Sequence, residues 1–204
     1  MLLVVFWLTL AFFCFYVILI LYPLLLYFMK PVLLVIAHKG FQPMEYFVTR
    51  EVLEAAGIEV KTASDGVDTA FSSITADKAA IYVTLDDVVV DNFSGVFFIG
   101  GPGAWEFLNN KKSYHIIREA TEKCQAWGAI CISPRILAAA GVLKGRRVTG
   151  WNDDSELEEI LSDAKAEYVH EPVVVDGNLI TADGPTAAGE FGQAIVELLN
   201  IKQR

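Results

Sequence analysis

The residues Val32-Leu33-Leu34-Val35-Ile36-Ala37 give the clearest secondary-structure signal in the chain. They are apolar throughout, without polar alternation, which is typical of a strand buried on both faces of a parallel sheet. A second run of this kind, Gly95-Val96-Phe97-Phe98-Ile99-Gly100, ends in glycine. Segments with helical spacing separate such runs. Because alternating strands and helices form a parallel sheet with helices on both faces, the sequence predicts an α/β fold.

The remaining elements follow from residue spacing and from stop residues. Helical spacing predicts helices over 45–56, 111–127, 134–140, 153–162 and 186–200. Apolar runs predict further strands over 58–63, 129–131 and 147–149, and near 173 and 179. Residues 64–94 are less regular, with an extended segment expected around 80–83. In a parallel sheet of this kind, functional sites form at the carboxyl ends of the strands.

The N-terminal residues 1–29 contain no charged side chain. A bilayer core of about 30 Å needs roughly 20 apolar residues as a helix, so this run is long enough to span it. A cleaved secretory signal would have a basic start, a shorter apolar stretch and a small-residue cleavage site, and a core helix would show a polar face. We therefore expect a single-pass transmembrane anchor over 1–29, embedded in the lipid bilayer, and one domain over 30–204.

Charge and cysteine content restrict the function of that domain. The nearby positive charges Lys30, Lys39 and Arg50 all follow the apolar run, which favours a cytoplasmic domain. The net charge of -9 falls on residues 30–204 and argues against nucleic-acid binding. The spacing of Cys124 and Cys131 fits no zinc or redox motif. We expect no nucleic-acid partner, no cofactor and no metal.

The segment Ala129-Ile130-Cys131-Ile132-Ser133-Pro134 indicates a reactive cysteine. A strand ends and a helix begins about three residues later, since Pro is favoured at the first helical position and Ser133 could cap the helix. Cys131 would then lie at a sharp strand-to-helix turn, where free amides and the helix dipole stabilise a thiolate. This is the arrangement of a nucleophile elbow. A buried structural cysteine is the alternative.

Two other predicted strand ends carry candidate partners of this cysteine. Gly100 and Gly101 let backbone amides approach a ligand, and together with the amide of Ile132 they could hold an oxyanion, although a tight turn is the alternative. Glu45 begins a helix, where a carboxylate is often only a partner of the helix dipole. A buried Glu45 facing Cys131 would favour a thiolate if protonated, because it would donate a hydrogen bond, and would oppose the thiolate if ionised.

Four further residues are candidates for the lining of a small pocket. His38 ends the first predicted strand and could lie near the site or simply in a loop. The aromatic residues are Phe41, Trp105 and Trp151, although aromatic side chains more often belong to a core.

From about Lys30 to Asn200 the chain resembles the ThiJ/PfpI superfamily, which includes deglycases and PfpI-type proteases. The similar segments are Lys39-Gly40 with Met44-Glu45, Ile99-Gly100-Gly101, Ala129-Ile130-Cys131 with Pro134 and 137–149, and Gly177–Thr181 with Gly184-Pro185 and Glu190-Phe191. The resemblance implies a flavodoxin-like parallel sheet sandwiched by helices. It also implies a nucleophile at Cys131, a partner acid at Glu45 and frequent formation of a homodimer.

Two departures from the family leave the activity open. Protease-like members carry His immediately after the nucleophile, where this chain has Ile132, and the deglycase branch has a His near the position of Trp151. A Cys–His hydrolase would therefore lack its usual base. Three hypotheses follow. The first is a glyoxalase-like or deglycase-like enzyme, or a Cys hydrolase, whose small-molecule substrate is an electrophile such as a 2-oxoaldehyde. The second is a redox sensor oxidised at Cys131 to the sulfinate. The third is a stress-response binding module with a vestigial site.

Overall fold

A computed structural model describes residues 30–201 of the protein. The predicted transmembrane anchor over 1–29 lies outside these residues. Within the described range, no helix combines the length and the apolar character needed to cross a membrane. The described residues from Pro31 onward belong to one compact unit.

Strands of the described chain form one large sheet and two short pairs. The strands are β1 (Val32–Ile36), β2 (Val60–Ser64), β3 (Thr69–Phe71), β4 (Lys78–Ala80), β5 (Val83–Thr84), β6 (Gly95–Phe98), β7 (Ala126–Ile130), β8 (Arg147–Val148), β9 (Glu167–Tyr168), β10 (Val173–Asp176) and β11 (Leu179–Ala182). The large sheet has the order β10-β11-β7-β6-β1-β2-β5, while β3 pairs with β4 and β8 with β9. All neighbours in the large sheet are parallel except β10 and β11.

Helices cover the large sheet. The α-helices are α1 (Pro43–Ala55), α2 (Lys111–Lys123), α3 (Pro134–Ala140), α4 (Leu157–Asp163) and α5 (Ala188–Ile201), and a π-helix spans Ala104–Leu108. Successive side chains of a strand point to opposite faces. In β6, Phe97 accordingly packs against Phe191 of α5, whereas Phe98 joins the core cluster that includes Ile116 of α2 and Ile136 of α3. Burial on both faces explains why the central strands are apolar throughout.

The predicted α/β fold is confirmed, and the predicted parallel sheet is parallel except at the edge pair of β10 and β11. The helix predicted over 111–127 was wrong in its last turn, since α2 ends at Lys123 and Trp127 lies in β7. Apolar residues at 124 and 127 continue the helical spacing, but pairing of β7 with both β6 and β11 imposes the strand. The helix predicted over 153–162 begins later, at Leu157, because Ser155 adopts a left-handed φ of 63° that interrupts helical geometry.

Candidate active site

Cys131 follows β7 directly and has a strained backbone. Its φ is 64°, in the left-handed region that residues other than glycine rarely adopt. Hydrogen bonds hold this conformation on both sides: the Cys131 amide donates to Ala182 O at 2.9 Å, and the Trp151 amide donates to Cys131 O at 2.7 Å. Helix α3 begins three residues after the cysteine, at Pro134. A strained residue between a strand and a helix is the geometry of a nucleophile elbow.

Ser133 does not cap α3 with its side chain as the sequence suggested. Its φ and ψ of -68° and -20° are already helical, whereas a capping serine is normally extended. The buried Ser133 hydroxyl donates instead to Ile99 O at 2.9 Å. This bond ties the elbow to the end of β6, the strand that leads into Gly100 and Gly101.

The Cys131 sulfur accepts hydrogen bonds from the backbone amides of Gly101 and Ile132, which favour the thiolate. Gly100 leaves room for this arrangement. A Cβ at Gly100 would lie 3.0 Å from Cys131 Sγ and 2.8 Å from Glu45 Oε2, which is too close in the second case. In the glycine pair predicted from the sequence, Gly100 therefore leaves space for Cys131 and Glu45, and Gly101 donates a hydrogen bond to the sulfur.

Glu45 lies in the first turn of α1 and is fully buried. Its Oε2 accepts a hydrogen bond from the Gly100 amide at 2.9 Å, and its carboxyl is also hydrogen-bonded to Cys131. Among the described residues, its Oε1 has no hydrogen-bond partner. The Gly100 amide, predicted to be an oxyanion donor, is engaged by Glu45 in this structure. Gly101 and Ile132 are the amides that face the sulfur.

The two side chains titrate as a coupled pair. Burial raises the pKa of Glu45 to about 7, although its hydrogen bonds with Cys131 and Gly100 act in the opposite direction. Burial also raises the pKa of the Cys131 thiol, and the charge and hydrogen bond of ionised Glu45 raise it further, while the Gly101 and Ile132 amides lower it. The effect of Glu45 belongs to its ionised form, so protonation of the carboxyl removes it. A Cys131 thiolate is therefore favoured when Glu45 holds the proton.

The predicted pocket residues occupy different places. Phe41 is fully buried and packs against Tyr46 and Phe47, with ring centroids 5.6 Å and 6.3 Å away, so it belongs to the core rather than to a pocket. Trp105 lies in the π-helix and is 41% exposed.

His38 is paired with a residue that the sequence did not reveal. Its backbone amide donates to Asp65 Oδ1 at 2.8 Å, and its ring Nδ1 contacts Asp65 Oδ2. Its ring also meets Phe107 edge-on, with centroids 4.7 Å apart. Asp65 directly follows β2, and His38 lies two residues after the end of β1. Because β1 and β2 are adjacent parallel strands, their carboxyl ends bring the two residues together. The structure thus joins His38 to Asp65 rather than to Glu45 or Cys131.

Trp151 borders a cleft of about 440 Å³ beside the elbow. Its indole Nε1 donates to Asp153 Oδ2 at 3.1 Å, and the Arg135 guanidinium lies 5.2 Å from its ring. The cleft is lined by Gly150, Trp151, Asn152, Asp153, Tyr168, His170, Asp183, Gly184, Pro185 and Thr186. Asp183 was missed in the sequence because only its position after β11, the neighbour of β7, places it next to Cys131.

The arrangement is suited to nucleophilic addition. A sulfur nucleophile, a buried acid that can hold or release a proton near neutral pH, and two backbone amides meet at the carboxyl edge of the sheet. In the part of the chain that the structure describes, no group of His, Cys, Asp and Glu side chains is placed to hold a metal ion. Fold and site together define a class of α/β proteins with a cysteine nucleophile elbow and a carboxyl partner.

Comparison with known proteins identifies the family within this class. The DJ-1/PfpI family matches residues 30–198, and the chain belongs to that family, which confirms the resemblance to ThiJ/PfpI proteins. An uncharacterised protein of Methanocaldococcus jannaschii is 36% identical over 169 residues, 82% of each chain. A deglycase of Thermococcus kodakarensis is 29% identical over 168 residues, 81% of this chain and 98% of the deglycase. The crystal structure of a ThiJ/PfpI domain protein from Brachyspira murdochii superposes with a TM-score of 0.79 at 28% identity, covering 85% of this chain and 98% of that one.

Proposed function

We propose that this protein is a cysteine-dependent enzyme that acts on small reactive carbonyl compounds. The observation that carries the proposal is the setting of the Cys131 sulfur, which is hydrogen-bonded to Glu45 and to the amides of Gly101 and Ile132. Similarity to the deglycase of Thermococcus kodakarensis supports the choice of substrate class. The chemistry does not require a histidine beside the nucleophile, since Glu45 can hold and release the proton.

The first step is addition of the Cys131 thiolate to the aldehyde carbon of a 2-oxoaldehyde. The new C–S bond uses the sulfur electron pair, and the electrons of the C=O double bond move to oxygen. The amides of Gly101 and Ile132, which face the sulfur, would donate to this developing oxyanion. Protonated Glu45 then gives its proton to the oxygen, which yields a hemithioacetal and leaves Glu45 as a carboxylate.

The second step moves a proton within the adduct. The Glu45 carboxylate removes the proton from the carbon bonded to sulfur and returns it to the neighbouring carbonyl carbon by way of an enediol. The hydroxyl proton of the adduct passes to the oxygen of the neighbouring carbon. The former aldehyde carbon thereby becomes a thioester and is oxidised, while its neighbour is reduced to an alcohol, so no external oxidant is needed. Water hydrolyses the thioester and releases a 2-hydroxy acid together with the free thiol. Methylglyoxal plus water would give lactate.

The test measures methylglyoxal loss and lactate formation by the full chain in neutral detergent. We expect turnover by the unchanged protein and loss of turnover in Cys131→Ser. Cys124→Ser is the matched control, because Cys124 is buried near Phe93. Equal rates for the unchanged protein and Cys131→Ser would exclude the proposed enzyme.

A redox sensor is the second candidate function, and the absence of histidines beside the nucleophile favours it. Ile132 and Trp151 leave the nucleophile without the histidines of other family branches, while the donors around the sulfur would also stabilise the oxygens of a sulfinate. Mass spectrometry after mild peroxide treatment should then show oxidation of Cys131 before Cys124. Equal oxidation of the two cysteines would reject this candidate.

The location of the enzyme forms part of the proposal. Residues 1–29 would anchor it in the membrane by a single pass, with the domain on the cytoplasmic side, because the positive charges follow the apolar run. Protease treatment of sealed vesicles should cut the domain only from the cytoplasmic face. Family membership also supports a homodimer, which light scattering of the detergent-solubilised protein would detect.

A further inference from the structure

Two walls of the cleft that Trp151 borders are hydrogen-bonded to the backbone of Cys131. One wall continues from β11, whose Ala182 carbonyl accepts the Cys131 amide, and the other contains Trp151, whose amide donates to the Cys131 carbonyl. Ala182 stands opposite Ile130 in the parallel pair of β11 and β7. The next position along each chain therefore places the backbone of Asp183 beside that of Cys131.

Asp183 contributes an uncompensated carboxylate to this cleft. Its Oδ1 is buried and has no hydrogen-bond partner among the described residues. Burial raises the pKa of Asp183, a hydrogen bond with its own backbone amide lowers it, and the charges of Glu190 and Asp153 raise it further, so the three acids lie close enough to influence one another. Asp153 and Asp183 both line the cleft.

Positive charge does not balance these acids. His170 is the basic residue of the described lining, and no Lys or Arg belongs to that lining. The Arg135 guanidinium, which lies against the Trp151 ring, is paired with Asp154 at 2.6 Å and Glu156 at 3.4 Å. A charged group that enters the cleft therefore meets a negative potential.

We propose that Asp183 selects the substrates of Cys131 by charge, favouring carbonyl compounds that bear an ammonium or guanidinium group over those that bear a carboxylate. The substrate class rests on the proposed function, but the charge selection concerns any electrophile that reaches the sulfur. A carboxylate carried by an aldehyde such as glyoxylate would be repelled by Asp183, and an amine group would be attracted.

Three methanethiosulfonate reagents of different charge test this selection without any turnover. The full chain in neutral detergent at pH 8 is treated with the neutral methyl, the cationic ethyltrimethylammonium and the anionic ethylsulfonate reagent, and mass spectrometry follows modification of Cys131. Each rate is divided by the rate with 2-mercaptoethanol. We expect the cationic reagent to be favoured over the anionic one, and Asp183→Asn to reduce that preference by roughly three- to tenfold.

Two variants and a salt series complete the design. Asp183→Glu keeps the charge and should keep the preference. Glu122→Gln removes an equal charge from an exposed position on α2 and should leave the preference unchanged. In the unchanged protein, 0.5 M NaCl should weaken the preference by screening the charge of Asp183. This measurement does not depend on whether the variants fold.

The outcomes separate this proposal from the proposed function. An unchanged protein with no charge preference, a preference insensitive to salt, or equal effects of Asp183→Asn and Glu122→Gln would each overturn the proposal. Failure to consume methylglyoxal would instead reject the enzyme and leave the reagent preference measurable. If turnover is found, Asp183→Asn should raise kcat/KM for glyoxylate relative to methylglyoxal.

Discussion

The fully buried carboxyl of Glu45 is hydrogen-bonded to the Cys131 thiol, although Glu45 belongs to the first turn of α1 and Cys131 follows β7. Neither group ionises independently. Burial raises the pKa of both groups, and an ionised Glu45 raises the pKa of Cys131 further. Since a nucleophilic cysteine must be a thiolate, the reactivity of Cys131 depends on where the pair keeps its proton.

Glu45→Gln should lower the pH at which Cys131 reacts. Gln is neutral and retains a hydrogen-bond donor, so it resembles protonated Glu45 and removes the charge that raises the pKa of the thiol. The rate of iodoacetamide alkylation as a function of pH measures this change, with Cys131 followed by mass spectrometry. A midpoint higher in Glu45→Gln than in the unchanged protein would contradict this account of the pair.

Glu45 should also make the stability of the protein depend on pH. Its pKa in the folded state is about 7, above the ordinary 4.5 of the unfolded chain. Folding is therefore most favourable below pH 4.5 with respect to this group, and its contribution is lost as the pH rises through 7. The loss amounts to about 3 kcal/mol in the free energy of unfolding.

Denaturation by urea at pH 5 and at pH 8 checks this second consequence. Because Gln cannot ionise, Glu45→Gln should gain stability relative to the unchanged protein between the two pH values. A difference between the two proteins that stays constant from pH 5 to pH 8 would show that Glu45 titrates normally.

Ser133→Ala should destabilise the elbow. The hydroxyl is buried and donates to Ile99 O, so its removal leaves a buried carbonyl without that donor. Such a loss costs about 1–3 kcal/mol. Ser162→Ala, at an exposed position in α4, is the matched control and should change the free energy of unfolding by less than about 0.5 kcal/mol. Equal effects in both variants would mean that the Ser133 bond does not hold the elbow.

Gly100→Ala should disturb the site more than it disturbs the fold. The added Cβ would lie 2.6 Å from Cys131 Cβ and 2.8 Å from Glu45 Oε2, so the pair must move apart. We expect at least about a tenfold fall in methylglyoxal turnover and a changed pH profile of alkylation. Gly189→Ala in α5 is the control, since its Cβ would meet only Val48 Cγ1 at 3.8 Å. Retention of the normal alkylation profile in Gly100→Ala would show that the contact is not restrictive.

Local patterns predicted most of the fold because they depend on neighbours along the chain. The run over 32–37 is apolar because β1 is buried on both faces, and Gly141 ends α3 with a left-handed φ of 78° as a helix-ending glycine does. The same patterns were wrong at the end of α2. The helical spacing of apolar residues continues to Trp127, but pairing with β6 and β11 makes that residue part of a strand.

From its sequence alone, the chain could be assigned its α/β class and a cysteine between a strand and a helix, because each depends on residues close together in the chain. The family resemblance could be assigned because it depends on short motifs and their order. Tertiary structure decided the partners. The Gly100 amide binds Glu45, Ser133 binds Ile99 O, His38 binds Asp65, and Asp183 lies beside Cys131. These pairings follow from the order and register of strands that are distant in the chain, and hydrophobic spacing carries no record of which strand becomes the neighbour of which.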